Sequence, residues 1–417
     1  MRLARIALLP LFAAACTRTV VTAPTPTAAT ARSAPRLAPV DALVPAPAIA
    51  VGFDPELPAR LDSIVRIGLE QGAAPGAALA VGRYGRLVHL KGYGAIDYAA
   101  GAPTVDATTI YDLASLTKVV ATTTAAMILE EEGKLDLSRT VQSYLPEFAA
   151  PDKAAITVRM LLTHRGGLEA FAPLWKASHG RAEYLTQINA RPLANPPGTK
   201  VVYSDWDFIL MGMIVERITG TTLDAFTAAR VFGPLGMSST RFTPDTTDAA
   251  LMQRITYTAL DTLRGQLHGT VHDPNAWALG GVSGHAGLFS TARDLAVFVQ
   301  MLLNGGTYAG VRILKPTTVA RWTSGQDVAS SRALGWDTPS AVSSAGRFFS
   351  PRSFGHTGYT GTSIWVDPER GLFVVLLMNR VNSRGEATRH VQLRRDVADA
   401  VQSAIRDAPI IDWEARR

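Results

Sequence analysis

The sequence predicts an α+β fold: one antiparallel sheet built from both chain ends and flanked by helices, with a mostly helical region inserted between them. Three observations predict it. Residues 76–97 carry two β-rich runs around a bend at Tyr84 and Gly85, and residues 362–379 carry two more around Asp367, Pro368 and Gly371. Both segments have hairpin chemistry, since Gly, Asp and Pro supply the backbone angles that a tight turn needs. Between them, apolar residues recur at helical spacing.

From the N-terminus, residues 1–16 read as an export signal. Arg2 and Arg5 give a positive start, Ile6 to Leu11 an apolar segment too short to cross a bilayer, and Ala13, Ala14 and Ala15 a small-residue cleavage region ahead of Cys16. The arrangement resembles a bacterial lipobox, in which the cysteine is lipidated and becomes the mature N-terminus, although Ala13 stands where leucine is usual. An ordinary secretory signal cleaved at the same alanines is the alternative. Cys16 is the only cysteine, which excludes an internal disulfide and any cysteine-based metal cluster. Lipidation there implies a membrane-anchored lipoprotein of the cell envelope, on a periplasmic or extracellular face. Residues 17–51 are rich in Pro, Ala and Thr, the composition of an extended tether, and the folded domain is expected over 52–407. Within it, helical patterns cover 115–132, 182–189, 207–219, 223–231 and 292–303, and a C-terminal helix covers 386–405.

At 417 residues, 47% hydrophobic and 18% charged, the chain has material for a large core. The net charge of +6 comes from scattered basic residues with no run of five or more, which argues against nucleic acid as a partner. Only seven of the 41 basic residues are lysines, so each lysine position is informative.

The segment 111–122 passes from an acidic, small-residue lead-in to a long apolar run, which puts Ser115 at a helix N-terminus. Lys118 follows one turn later, and residues three apart on a helix are neighbours, with Cβ atoms about 5–6 Å apart. A serine hydroxyl attacks only when a base takes its proton, and a lysine does this only when its own pKa is lowered. Burial and the positive end of the helix dipole both push it down, and backbone N–H groups at the same place stabilise a developing oxyanion. None of the other six lysines has a serine at this spacing. The plainer alternative is an N-cap serine and an exposed helix lysine.

Two further segments accompany the pair. Tyr203-Ser204-Asp205 precedes a helix beginning near Asp207, and Gly355-His356-Thr357-Gly358-Tyr359 leads into the second hairpin. In this order the three elements resemble Ser-X-X-Lys, Tyr-X-Asn and Lys-Thr-Gly of the serine β-lactamase and penicillin-binding-protein superfamily. The nearest branch holds class C β-lactamases, similar D-alanyl-D-alanine carboxypeptidases and family VIII esterases. Residues 161–168, 196–205 and 278–298 support the resemblance, which spans 55–405. It implies a β-lactamase/transpeptidase-like fold and a serine hydrolase that forms an acyl-enzyme on Ser115, with Lys118 as proton acceptor. Tyr203 would help activate Ser115 and serve as general base for the deacylating water. The backbone N–H groups of Ser115 and Tyr359 would form the oxyanion hole, with His356, Thr357, Gly358 and Asp205 beside the substrate. No cofactor or metal is implied. The implied substrate is a cell-wall D-alanyl-D-alanine peptide or a small ester; the competing readings are a β-lactamase and a non-hydrolytic penicillin- or peptidoglycan-binding lipoprotein.

Two positions depart from the pattern. Asp205 stands where asparagine is usual, and His356 where lysine is usual. A lysine gives a fixed cation beside a substrate carboxylate, whereas histidine, with a reference pKa near 6.5, is often neutral at pH 7, which tells against strong penicillin or cephalosporin turnover. Among the other histidines, His164 and His285 are expected to be structural. His268 and His272 have a metal-ligand spacing, but Gly269 and Pro274 argue against the helix that would bring them together. His272, Asp273 and Asn275 are a candidate loop over the cleft. The nucleophile elbow Gly-X-Ser-X-Gly, the zinc-protease motif and the phosphate-binding loop are all missing from the sequence.

Overall fold

The computed structural model describes residues 42–341, 343–382 and 388–412. Its centre is a six-stranded sheet whose strands run, edge to edge, Val44–Pro45, Arg86–Gly94, Gly76–Arg83, Leu372–Met378, Ser363–Asp367 and Phe354–Thr357. Neighbours pair antiparallel except Val44–Pro45, which lies parallel to Arg86–Gly94. That short strand comes from the Pro/Ala/Thr-rich stretch 17–51, whose earlier part, with Cys16, lies outside the described residues. Both expected hairpins are present. Tyr84 and Gly85 take φ of 52° and 74°, the pair of positive values that matches a two-residue turn to the twist of its strands.

Gly76–Arg83 and Leu372–Met378 are buried along their whole length, because both sheet faces are covered. Side chains alternate between the two faces. Leu79, Val81, Val374 and Leu376 point toward the helices Leu57–Glu70 and Arg389–Ser403, while Ala78, Ala80, Val375 and Leu377 enter the larger core with helix Ala292–Leu303. A strand buried on both faces shows no polar alternation, which is why these runs read as continuous apolar segments.

The inserted region is helical, with the helices Gly180–Ala190, Asp205–Thr219 and Ala292–Leu303 where periodicity places them. The helix expected over 115–132 is instead composite: Lys118–Thr123 forms a widened π-type stretch before the α-helix Thr124–Glu131. Thr124 Oγ1 donates to the carbonyl of Val119 five residues back, and Thr122 Oγ1 leaves the helix for Gly284 O, so these threonines accommodate the wider turn. The C-terminal helix spans Arg389–Ser403, and residues 383–387, which include its expected start, lie outside the described residues. A small sheet formed by Tyr111–Asp112, Leu288–Ser290 and Arg241–Phe242 carries the chain into Ser115. Among the described residues no helix is long and apolar enough to cross a membrane.

Candidate active site

Ser115 sits on a strained turn. Ala114 before it takes φ 47°, a left-handed conformation that costs a residue with a Cβ about 1–2 kcal/mol. The buried Asp112 carboxylate holds it there: Oδ1 accepts the Ala114 N–H at 2.8 Å and Oδ2 accepts the His272 N–H at 2.6 Å. Burial pushes the Asp112 carboxyl up to about 6. Thr360 and Thr362 donate to the carbonyls of Asp112 and Leu113 at 2.7 and 2.9 Å, tying the Ser115 turn to the end of the edge strand Phe354–Thr357. Only glycine fits at 358, since a Cβ there would lie 2.3 Å from the Leu113 carbonyl oxygen.

Lys118 is fully buried, and its Nζ donates to Ser115 Oγ at 3.1 Å, Asp205 Oδ1 at 2.7 Å and His285 O at 3.2 Å. All three ammonium hydrogens are thereby used. Burial opposes the charge, but the Asp205 carboxylate and the Tyr203 oxygen together outweigh it and hold Lys118 above the ordinary lysine range. This overturns the expectation of a lowered lysine: with aspartate in place of asparagine, the resting state is an ion pair. The Tyr203 ring lies 4.9 Å from Lys118 Nζ, and its hydroxyl is buried beside that ammonium. His164 Nδ1 accepts the Ser204 N–H at 3.2 Å, and its ring lies 4.5 Å from that of Tyr203, the backbone anchoring expected of it. Burial pushes His164 well down, so it is neutral at pH 7, and burial with Asp205 alongside pushes the Asp207 carboxyl well up.

A cleft of about 740 Å³ opens over these groups, walled by Ser115, Tyr203, His272, Arg332, His356 and Tyr359. His356 is buried, donates from Nδ1 to Thr357 O at 2.8 Å, and leaves Nε2 without a partner among the described residues. Burial, with Arg332 and Lys118 nearby, pushes it down to about 3, so it is neutral at pH 7. Cationic groups reach the cleft from elsewhere: the Arg332 guanidinium lies 5.2 Å from the Tyr203 ring centre and that of Arg380 4.1 Å from the Tyr359 ring centre. Phe171, on the rim, rests against Trp175 and Trp206 and gives the mouth an apolar side. Among the described residues, the N–H groups of Ser115 and Tyr359 take no hydrogen bond.

The remaining candidates separate. His272 and Asp273 line the cleft, whereas Asn275 is buried and binds Ala172 O and the Tyr184 hydroxyl. His268 turns away to the carbonyls of Met252 and Ile255 and does not meet His272. Asp205, Asp273 and His285 have ligand atoms within 4.8 Å of one another, a grouping that spacing did not reveal. The Lys118 ammonium already satisfies that acidic corner, with its 2.7 Å contact to Asp205. Sequence reasoning also passed over Arg332, Arg380 and Asp112. Two of these are arginines in a chain where arginine is abundant, and a lone buried aspartate carries no pattern.

Residues 61–399 match the family model described as Beta-lactamase. The chain is 35% identical over 368 residues to a putative D-alanyl-D-alanine carboxypeptidase of Escherichia coli (strain K12), covering 80% of this chain and 84% of that protein. It is 34% identical over 373 residues to one of Salmonella agona, covering 80% and 85%. Similar solved structures include EstCE1, a hydrolase with promiscuous acyltransferase activity, with a TM-score of 0.66 at 23% identity over 82% of this chain and 98% of that one. A penicillin-binding-protein homologue from Caulobacter crescentus gives a TM-score of 0.66 at 23% identity over 84% and 99%. The fold, the family match and the carboxypeptidase relatives agree: this chain belongs to the β-lactamase family, the superfamily of serine-hydrolase-type enzymes that includes class C β-lactamases, penicillin-binding proteins and D-alanyl-D-alanine carboxypeptidases.

Proposed function

We propose that the chain is a serine hydrolase working through an acyl-enzyme on Ser115, and that its substrate is a cell-wall D-alanyl-D-alanine peptide or a small ester. The observation that carries the reading is the 3.1 Å hydrogen bond between the buried Lys118 Nζ and Ser115 Oγ on the cleft wall. In this mechanism the free-base form of Lys118 takes the hydroxyl proton as Oγ bonds to the substrate carbonyl carbon. The oxyanion is met by the N–H groups of Ser115 and Tyr359, which have no partner among the described residues. Tyr203 serves the leaving group and then, as general base, the deacylating water. The curated relatives' names favour the peptide, and that of EstCE1 favours the ester. The test is to incubate the purified chain and Ser115→Ala with a fluorescent penicillin and with p-nitrophenyl butyrate, following labelling and release. Penicillin labelling with no release of p-nitrophenol from the ester would favour the non-hydrolytic penicillin-binding reading.

The neutral His356 weighs against the β-lactamase reading. His356→Lys is expected to raise the ratio of penicillin acylation to ester turnover about tenfold or more, because a hydrogen bond to a charged group contributes about 1.5–3 kcal/mol. An unchanged ratio would show that the penicillin carboxylate does not sit beside residue 356.

Export belongs to the same reading: a signal over residues 1–16, lipidation of Cys16, and a Pro/Ala/Thr tether carrying the domain away from a membrane face. Cells fed an alkyne-tagged palmitate are expected to label the wild-type chain and not Cys16→Ala. Equal labelling of the two rejects the anchor.

A further inference from the structure

Arg394, on the C-terminal helix, is a charged side chain only 7% exposed, and among the described residues it has no carboxylate partner. Burial drives the guanidinium down to about 9 but leaves it positive at neutral pH. Burying an unpaired charge is costly, so a specific set of acceptors has to offset it. Those acceptors are three carbonyls of one turn: Nη2 donates to Gly358 O at 2.9 Å and Thr362 O at 2.8 Å, and Nε to Gly361 O at 3.3 Å. Gly358 O also accepts the Gly361 N–H at 3.1 Å.

The Gly358 carbonyl and the Tyr359 N–H belong to one peptide unit. That unit is planar and trans, so its oxygen and its hydrogen point in opposite directions along a single dipole. Two donors on the oxygen draw electron density from the amide nitrogen and strengthen the N–H at the other end. Here the far end is the Tyr359 N–H, without a partner among the described residues and in a residue on the cleft wall. We propose that Arg394 is a positioning residue that aims and polarises the Gly358–Tyr359 peptide, so that the Tyr359 N–H stabilises an oxyanion. The proposal rests on the acyl-enzyme reading above. Its effect grows as negative charge develops on the substrate oxygen, so it acts on the transition state more than on the bound ground state.

The test compares wild type, Arg394→Gln and Arg394→Lys in kcat and KM on p-nitrophenyl butyrate, in affinity for a phenylboronic acid, and in the infrared stretch of the acyl carbonyl in the penicilloyl-enzyme. Arg394→Gln is expected to lower kcat about 10- to 100-fold with KM within about twofold, since loss of an entire oxyanion donor costs about 10²–10³. It should weaken the boronate by a similar factor and move the acyl carbonyl stretch to higher frequency, with partial recovery in Arg394→Lys. An unmoved carbonyl frequency, or a loss confined to KM, overturns the proposal. So does the absence of cooperative unfolding in both variants, which would assign Arg394 to the fold alone. If wild type itself forms no acyl-enzyme on Ser115, the underlying reading fails, and this is evident before any Arg394 variant is made.

Discussion

Ser115→Ala is expected to abolish labelling by fluorescent penicillin and to lower kcat/KM on p-nitrophenyl butyrate by about 10⁴-fold or more, the scale on which removal of a serine nucleophile acts in other hydrolases. The change deletes one hydroxyl on the wall of an open cleft, where Oγ accepts from a lysine that keeps two other acceptors. The strained Ala114 turn and its Asp112 clamp do not depend on that hydroxyl. Thermal stability should therefore stay close to wild type, and activity loss without unfolding is the signature to look for. A variant that still turns over the ester at near wild-type rate would remove Ser115 from the chemistry altogether.

Asp205→Asn is expected to move the pH dependence of the reaction. Asparagine keeps an acceptor oxygen for Lys118 but removes the negative charge, leaving only Tyr203 to oppose burial, and burial favours the free base. In wild type the raised lysine makes its free-base form scarce at neutral pH, so kcat/KM climbs with pH through the alkaline range. In the variant the climb should begin about two units lower, because an opposite charge at this range moves a pKa by about one to three units. Stability carries the same sign. Lys118, raised on folding, contributes stability that is complete below the ordinary lysine pKa and is lost only as pH rises through its raised value. Breaking a buried ion pair from one side costs about 3–5 kcal/mol, reduced here because the lysine is able to release its proton. A rate profile that does not shift in Asp205→Asn would show that Lys118 is not the proton acceptor and would leave that step to Tyr203.

How much was legible in the sequence follows from what each residue depends on. The hairpins and the helix Ala292–Leu303 were readable because turn chemistry and periodicity are local. Ser115 and Lys118 stood out because lysine is rare in this chain and one helical turn fixes their separation. Asp205 was visible as a departure from a pattern, but its consequence was not. Whether a carboxylate reaches Lys118 depends on two segments 87 residues apart meeting in space. Arg332, Arg380 and Arg394 were hidden for the converse reason: in an arginine-rich chain, no single arginine is conspicuous until its surroundings are known. The widened turn at Lys118–Thr123 escaped because threonine hydroxyls choose their acceptors from tertiary neighbours such as Gly284.

The sheet also sets a condition on how the chain reaches its native state. Its two central strands, Gly76–Arg83 and Leu372–Met378, are partners about 300 residues apart, so the loop that must close between them is nearly the whole domain. During synthesis the N-terminal hairpin emerges long before the strand that covers it, and its Gly76–Arg83 edge, apolar from Gly76 to Gly82, has to wait unpaired. Such a topology folds slowly and only once the last hairpin is available. A chain cut short before residue 372 would therefore be expected to lose the native state entirely, and to aggregate through that open edge rather than retain a smaller working core.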